Sequence, residues 1–139
     1  MYMDQRILPP YTRRRVGDCL KTCVVNLTGQ PYDSVPHFAM YGKKWFQVLH
    51  DWAWVIGYRT HCLIPETDDL PDLLIGTGPT SRGLRHAVLV NSQLELVHDP
   101  YPNSVGLLKI DQLVTIEKIN WSKKGPVGPP PAIPFYQAK

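Results

Sequence analysis

The sequence predicts an α+β domain. Apolar residues recur at helical spacing only between Cys19 and Ile56. From Tyr58 onward they fall into short strand-like runs bounded by turn residues. The 139 residues include 14 prolines, which argues against long uninterrupted helices, and the length is that of one domain. Helices first and an antiparallel sheet afterwards place the chain in the α+β class.

Each element follows from local chemistry. Residues 1–16 read as an irregular N-terminal arm, with Pro9-Pro10 and the basic run Arg13-Arg14-Arg15. The folded domain is expected over 17–122. Asp18 stands at a helix N-cap position, Leu20, Val24 and Leu27 repeat at helical spacing, and Gly29 is a C-terminal stop. Asp33–Phe38 reads as a short helical turn ending near Pro36. A second helix is expected over Lys43–Val55, with Trp45, Leu49, Trp52 and Ile56 on its core-facing stripe. Strands are expected at Tyr58–Ile64, Leu73–Ile75, Leu84–Asn91, Leu94–Asp99 and Leu113–Ile119. The glycine-rich Gly76–Gly83 segment reads as a loop before His86, suited to a lid or substrate wall. It lacks the Gly-Lys-Ser/Thr ending of a phosphate-binding loop. Residues 123–139 read as a Pro-rich C-terminal tail.

Composition excludes several functions. Apolar residues at 43% and charged residues at 19% suit a folded, water-soluble domain and not a disordered chain, coiled coil or collagen. The longest apolar stretches fall well short of the roughly 20 residues of a membrane helix. A net charge of +3 is too small to dominate nucleic-acid binding, so Arg13–Arg15, Lys43-Lys44 and Lys123-Lys124 read as solvated faces. The N-terminal stretch is polar and proline-bearing, unlike a signal peptide, and the expected setting is cytoplasmic.

Three cysteines, Cys19, Cys23 and Cys62, cannot all pair within the chain. They are core residues, metal ligands or a reactive thiol. A metal site fits poorly. There is no Cys-x-x-Cys, and the adjacent His61 and Cys62 would point to opposite faces of a strand. No cofactor is implied. His37 and His50 have no evident partner and read as surface or core residues.

The candidate site begins with a hairpin. If Ser92-Gln93 centre the turn between His86–Val90 and Leu94–Asp99, paired residue numbers sum to 185. His86 then faces Asp99 directly, and opposed Cβ atoms lie roughly 4.5–5.5 Å apart. A carboxylate bonded to one imidazole nitrogen fixes its tautomer and leaves the other nitrogen free to act as a base. A three-residue loop would shift the register by one and break the pair. Cys19 follows the expected N-cap, so it sits in the first turn of a helix, where the helix dipole favours a thiolate. A thiol, an imidazole and an orienting carboxylate are the parts of cysteine-based acyl transfer. Cys23, one turn further in, reads as a core thiol.

Gly17-Asp18-Cys19 with Cys23, followed by an apolar helix, resembles the opening of C39-type bacteriocin-processing cysteine peptidases of the papain-like superfamily. His86-Ala87-Val88-Leu89-Val90 and Val97-His98-Asp99-Pro100 are similar to that group's His strand and Asp-Pro strand end. Val35-Pro36-His37-Phe38 and Gly78–Gly83 complete a layout similar to small papain-like proteins of bacteria and phages. The resemblance covers roughly Gly17–Gly106. It implies a nucleophile helix packed on a small antiparallel sheet, with Cys19 as nucleophile, His86 as general base and acid, and Asp99 as orienting residue. It also implies a peptide or protein substrate, no cofactor, and a host-cytoplasmic setting if the chain is viral. The chain departs from the family at Leu20, where Gly is usual, and at Arg13, where an oxyanion-hole Gln is expected. Gln5 could supply that amide if Arg6–Arg15 loops out; otherwise Arg13 donates. The alternative is a catalytically silent papain-like module that binds a protein or small ligand in the same cleft.

Overall fold

The computed structural model describes residues 2–12, 17–81, 83–102 and 106–119. Within them lie two α-helices, α1 (Cys19–Thr28) and α2 (Trp45–Val55), and five strands. The strands are β1 (Tyr58–Leu63), β2 (Leu74–Pro79), β3 (Arg85–Val90), β4 (Leu96–His98) and β5 (Gln112–Lys118). They form one antiparallel sheet in the order β1-β5-β2-β3-β4. The mixed α+β class and its order, helices before sheet, are as expected. Residues 123–139 and the Arg13–Arg15 run lie outside the described residues.

Helix α1 ends where Gly29 turns left-handed (φ 70°) and donates its N–H to the Val25 carbonyl at 2.8 Å. After Pro31 the chain makes 3-10 turns at Tyr32–Ser34 and Phe38–Lys44, bracketing the helical turn expected over Asp33–Phe38. Gly42, at φ 57°, interrupts the second turn just before α2. Helix α2 begins at Trp45, two residues later than expected, and buries Phe46, Leu49, His50 and Ala53. That face is rotated from the expected stripe: Trp45 and Trp52 are half-buried margins of the core. Bulky indoles fit a rim better than a fully enclosed position.

The sheet separates two apolar layers. Ile75, Ala87, Leu89, Val114 and Ile116 pack with Cys23, Val24, Phe38, Phe46 and Leu49 on the helical side. Leu74, Val88, Val90 and Leu113 form the other layer, covered by Leu70, Leu94, Leu107 and Ile110. Strand β3 is therefore buried on both faces, which is why His86–Val90 reads as a continuous apolar run instead of an alternating one. His50 is a satisfied core residue, with Nδ1 2.9 Å from the Thr60 hydroxyl.

Two expectations are overturned. The segment Gly76–Pro79 is the second half of a central strand and not a lid. Its glycines clear space for the Lys109–Ile110 segment crossing that face. A Cβ at Gly78 would stand 1.9 Å from the Lys109 carbonyl oxygen. The β3–β4 register also differs. Val90 pairs with Leu96, so the loop holds five residues, and Leu89 pairs with His98 across a bulge at Val97. Asn91 organises that loop by accepting the N–H groups of Gln93 and Glu95 at 3.0 and 2.9 Å. The loop displaces the register by one residue and the bulge by one more. Paired numbers beyond the bulge sum to 187, so Asp99 falls level with Val88 and diagonal to His86. A shift of two preserves side-chain parity, whereas a shift of one would have reversed it.

Candidate active site

The site is assembled where the start of α1 meets β3 and the end of β4. Cys19 is the first residue of α1 and half-buried. Asp18 occupies the N-cap position but makes no side-chain cap, contrary to expectation. Its carboxylate, 1% exposed, accepts instead from the Ile7 N–H at 2.8 Å, the Arg6 N–H at 3.1 Å and the Tyr32 hydroxyl. The first-turn N–H groups of α1 are thus left unclaimed by the Asp18 side chain.

His86 stands near the start of β3, and its Nε2 is 2.5 Å from Asp99 Oδ1. Both side chains are nearly inaccessible, at 4% and 3% exposure. The Tyr101 N–H donates to the same Asp99 oxygen at 2.9 Å, and the Tyr101 ring meets the imidazole edge-on. Cys19 lies close enough for its thiol to act on the imidazole. Burial alone would lower the pKa of His86. The hydrogen bond to Asp99, the nearby Cys19 and the negative charge around it outweigh burial and raise it to about 9. The imidazole is therefore a cation at neutral pH, held between a carboxylate and a sulfur.

Cys19, His86 and Asp99, the residues singled out from the sequence, thus meet in one place. Cys23 is fully buried one turn along α1, and burial, with Cys19 and Asp99 nearby, pushes its thiol well above the ordinary range. Cys62 packs against the helical-side core. Among the described residues no group of three or more His, Cys, Asp or Glu side chains is placed to hold a metal ion. No helix among them is long and apolar enough to cross a membrane.

The two residues considered for an oxyanion hole fare differently. Arg13 lies outside the described residues. Gln5 is buried; after it, Arg6 and Ile7 turn to Asp18, and the Tyr11 ring packs on Gly17. Its backbone N–H donates to the carbonyl of Pro100, the residue after Asp99, at 2.9 Å. Its Nε2 donates to the Ile7 carbonyl at 2.8 Å and meets the Tyr11 hydroxyl at 3.0 Å, while Oε1 is buried with no hydrogen-bond partner among the described residues. Asp18, Tyr32 and Tyr101 are site residues that sequence reasoning missed. Only Asp18 carried a signal, and that signal was for a different role.

A cavity of about 380 Å³ is lined in part by Val88, Val90, Leu94 and Ile110. None of the three candidate residues lines it. In comparisons with known proteins, no family model matched the sequence, no curated protein matched it, and no solved structure matched the fold.

Proposed function

We propose that the chain is a papain-like cysteine hydrolase that cleaves a peptide, isopeptide or other amide bond through Cys19, His86 and Asp99. The observation carrying this reading is the buried His86–Asp99 pair, 2.5 Å apart, with Cys19 at a helix start close enough to act on the imidazole. A protonated imidazole close to the sulfur is placed to hand a proton to a leaving amine.

The chemistry follows from that arrangement. Sulfur adds to the amide carbonyl, and the tetrahedral oxyanion is met by backbone N–H groups in the first turn of α1. The carbon–nitrogen bond breaks as His86 gives its proton to the leaving amine, producing a thioester on Cys19. His86, now neutral, takes a proton from water, which attacks the thioester and releases a carboxylic acid and the free thiol. Asp99 keeps the imidazole in one orientation and stabilises its cationic form. An amine in place of water would make the same chemistry a group transfer.

One observation favours a second reading, a catalytically silent module that binds a protein or small ligand in the same cleft. The Gln5 amide nitrogen is already engaged, with the Ile7 carbonyl and the Tyr11 hydroxyl. Losing one oxyanion donor costs roughly 10²–10³ in rate. An activated acyl ester separates the two. Hydrolase chemistry predicts a thioester on Cys19, detected by intact mass, discharged by hydroxylamine and absent in Cys19→Ala and Asp99→Asn. Absence of acylation, or equal acylation of Cys23 and Cys62, would favour the binding module.

A further inference from the structure

The N-terminal segment touches the site at both ends. The carbonyl of Met3 is 3.0 Å from His98 Nε2, just before Asp99, and the Gln5 N–H reaches Pro100, just after it. The next two residues, Arg6 and Ile7, turn to the other side and donate to Asp18, the residue before Cys19. Met3 is further tied to α1 through reciprocal bonds with Asn26 at 2.8 and 3.1 Å. The strap therefore bridges the two elements that carry Asp99 and Cys19.

Asp18 is the anchor of that bridge. A buried carboxylate is costly unless its oxygens are satisfied, and at a helix start the nearest donors are the N–H groups of its own first turn. Asp18 instead takes donors from eleven and twelve residues upstream, together with Tyr32. Two cations lie over the ring of the same tyrosine. The Arg6 guanidinium carbon lies 4.0 Å from the Tyr32 ring centre, and Lys21 Nζ lies 3.7 Å from it.

We propose that Asp18 is a positioning residue, whose buried carboxylate holds the Gln5–Ile7 strap across the start of α1 and so fixes Cys19 against His86. The inference rests on the acyl-transfer reading for its consequence in catalysis. A role confined to stability would lower the melting temperature of a variant and leave the imidazole's surroundings unchanged. A positioning role alters the contact between His86 and Cys19, and the groups that face the imidazole are Cys19 from α1 and Asp99 and Tyr101 from the segment after β4.

The test uses the full chain, in wild-type form and as Asp18→Asn and Tyr32→Phe. Two readouts are taken: the titration midpoint of His86 by imidazole NMR, and the rate of Cys19 alkylation by iodoacetamide. Asp18→Asn keeps the shape and the oxygen that takes both the Arg6 and Ile7 N–H groups, but it removes the charge and the second acceptor, which takes the Tyr32 hydroxyl and a share of the Arg6 N–H. The expected result is a His86 midpoint falling from about 9 toward the ordinary 6.5. Cys19 alkylation should slow by about tenfold or more, as small misplacements of reacting groups do. Tyr32→Phe removes one bond to Asp18 and should move both readouts the same way by less. A folded Asp18→Asn with the wild-type midpoint and rate overturns the inference. If Asp18→Asn does not fold, an unchanged midpoint and rate in Tyr32→Phe overturn it alone. A wild-type chain whose Cys19 is not preferentially alkylated, but whose His86 midpoint still falls in Asp18→Asn, overturns the acyl-transfer reading and leaves the positioning role standing.

Discussion

At the residue scale, the His86–Asp99 pair makes stability depend on pH in a definite direction. The folded pKa of His86, about 9, lies above its ordinary value of 6.5. The native state therefore holds the proton more tightly than the unfolded chain. This contribution is fully present below pH 6.5 and is lost as pH rises through about 9. Urea midpoints measured from pH 6 to pH 10 should decline across that window in the wild type, and the decline should be absent in His86→Ala. Asp99→Asn keeps the size of the side chain but removes the charge that favours the imidazolium. It should slow Cys19 alkylation on the order of 10²-fold, the lower end of what positioned acid–base groups contribute. Cys19, His86 and Asp99 were legible in the sequence because each sits at a recognisable local place: a helix start, a strand, a strand end. The contacts that tie Asp18 to Arg6, Ile7 and Tyr32, and Gln5 to Pro100, were not. They span an irregular segment, with separations of 11 to 14 residues between Asp18 and its donors, and no local periodicity reports such contacts.

At the scale of elements, helix and strand identities could be read from periodicity, but two details depended on neighbours distant in sequence. The first is the β3–β4 hairpin. A five-residue loop and a bulge together restore the side-chain parity that a two-residue turn would have given. His86 and Asp99 meet through a register different from the expected one. The second is Gly76–Pro79, whose glycines resemble a loop until the Lys109–Ile110 segment is seen lying over them. Two alanine substitutions separate close approach from backbone freedom. Gly78→Ala forces a methyl against backbone and should destabilise by about 3 kcal/mol or more, at or beyond the usual range for overpacking. Gly83→Ala meets no atom within 4 Å and bears only the strain of φ 76°, so it should lose about 1 kcal/mol. Chemical denaturation of the two variants checks both values, and similar losses would contradict the packing explanation for Gly78.

At the scale of the molecule, the last strand among the described residues occupies the interior of the sheet, between β1 and β2. Sequence order alone could not place it there. That insertion pairs the second edge of β2, and both β2 and β3 are covered on their two faces by the apolar layers. His86 is thereby mounted on a rigid strand, while α1 packs Cys23 and Val24 into the helical-side layer and carries Cys19 at its start. Leu89→Ala, in that layer, should lose about 2–5 kcal/mol as a buried cavity opens. The N-terminal strap then ties the start of α1 to the end of β4. The central claim, that this architecture makes Cys19 a nucleophile through His86, is tested most directly by competitive alkylation. Wild-type protein and His86→Ala are treated with limiting iodoacetamide at neutral pH, and Cys19, Cys23 and Cys62 are quantified by peptide mass spectrometry. Cys19 should be modified far ahead of the other two in the wild type and lose that lead in His86→Ala. Equal, slow modification of all three thiols, or an undiminished lead in His86→Ala, would contradict it.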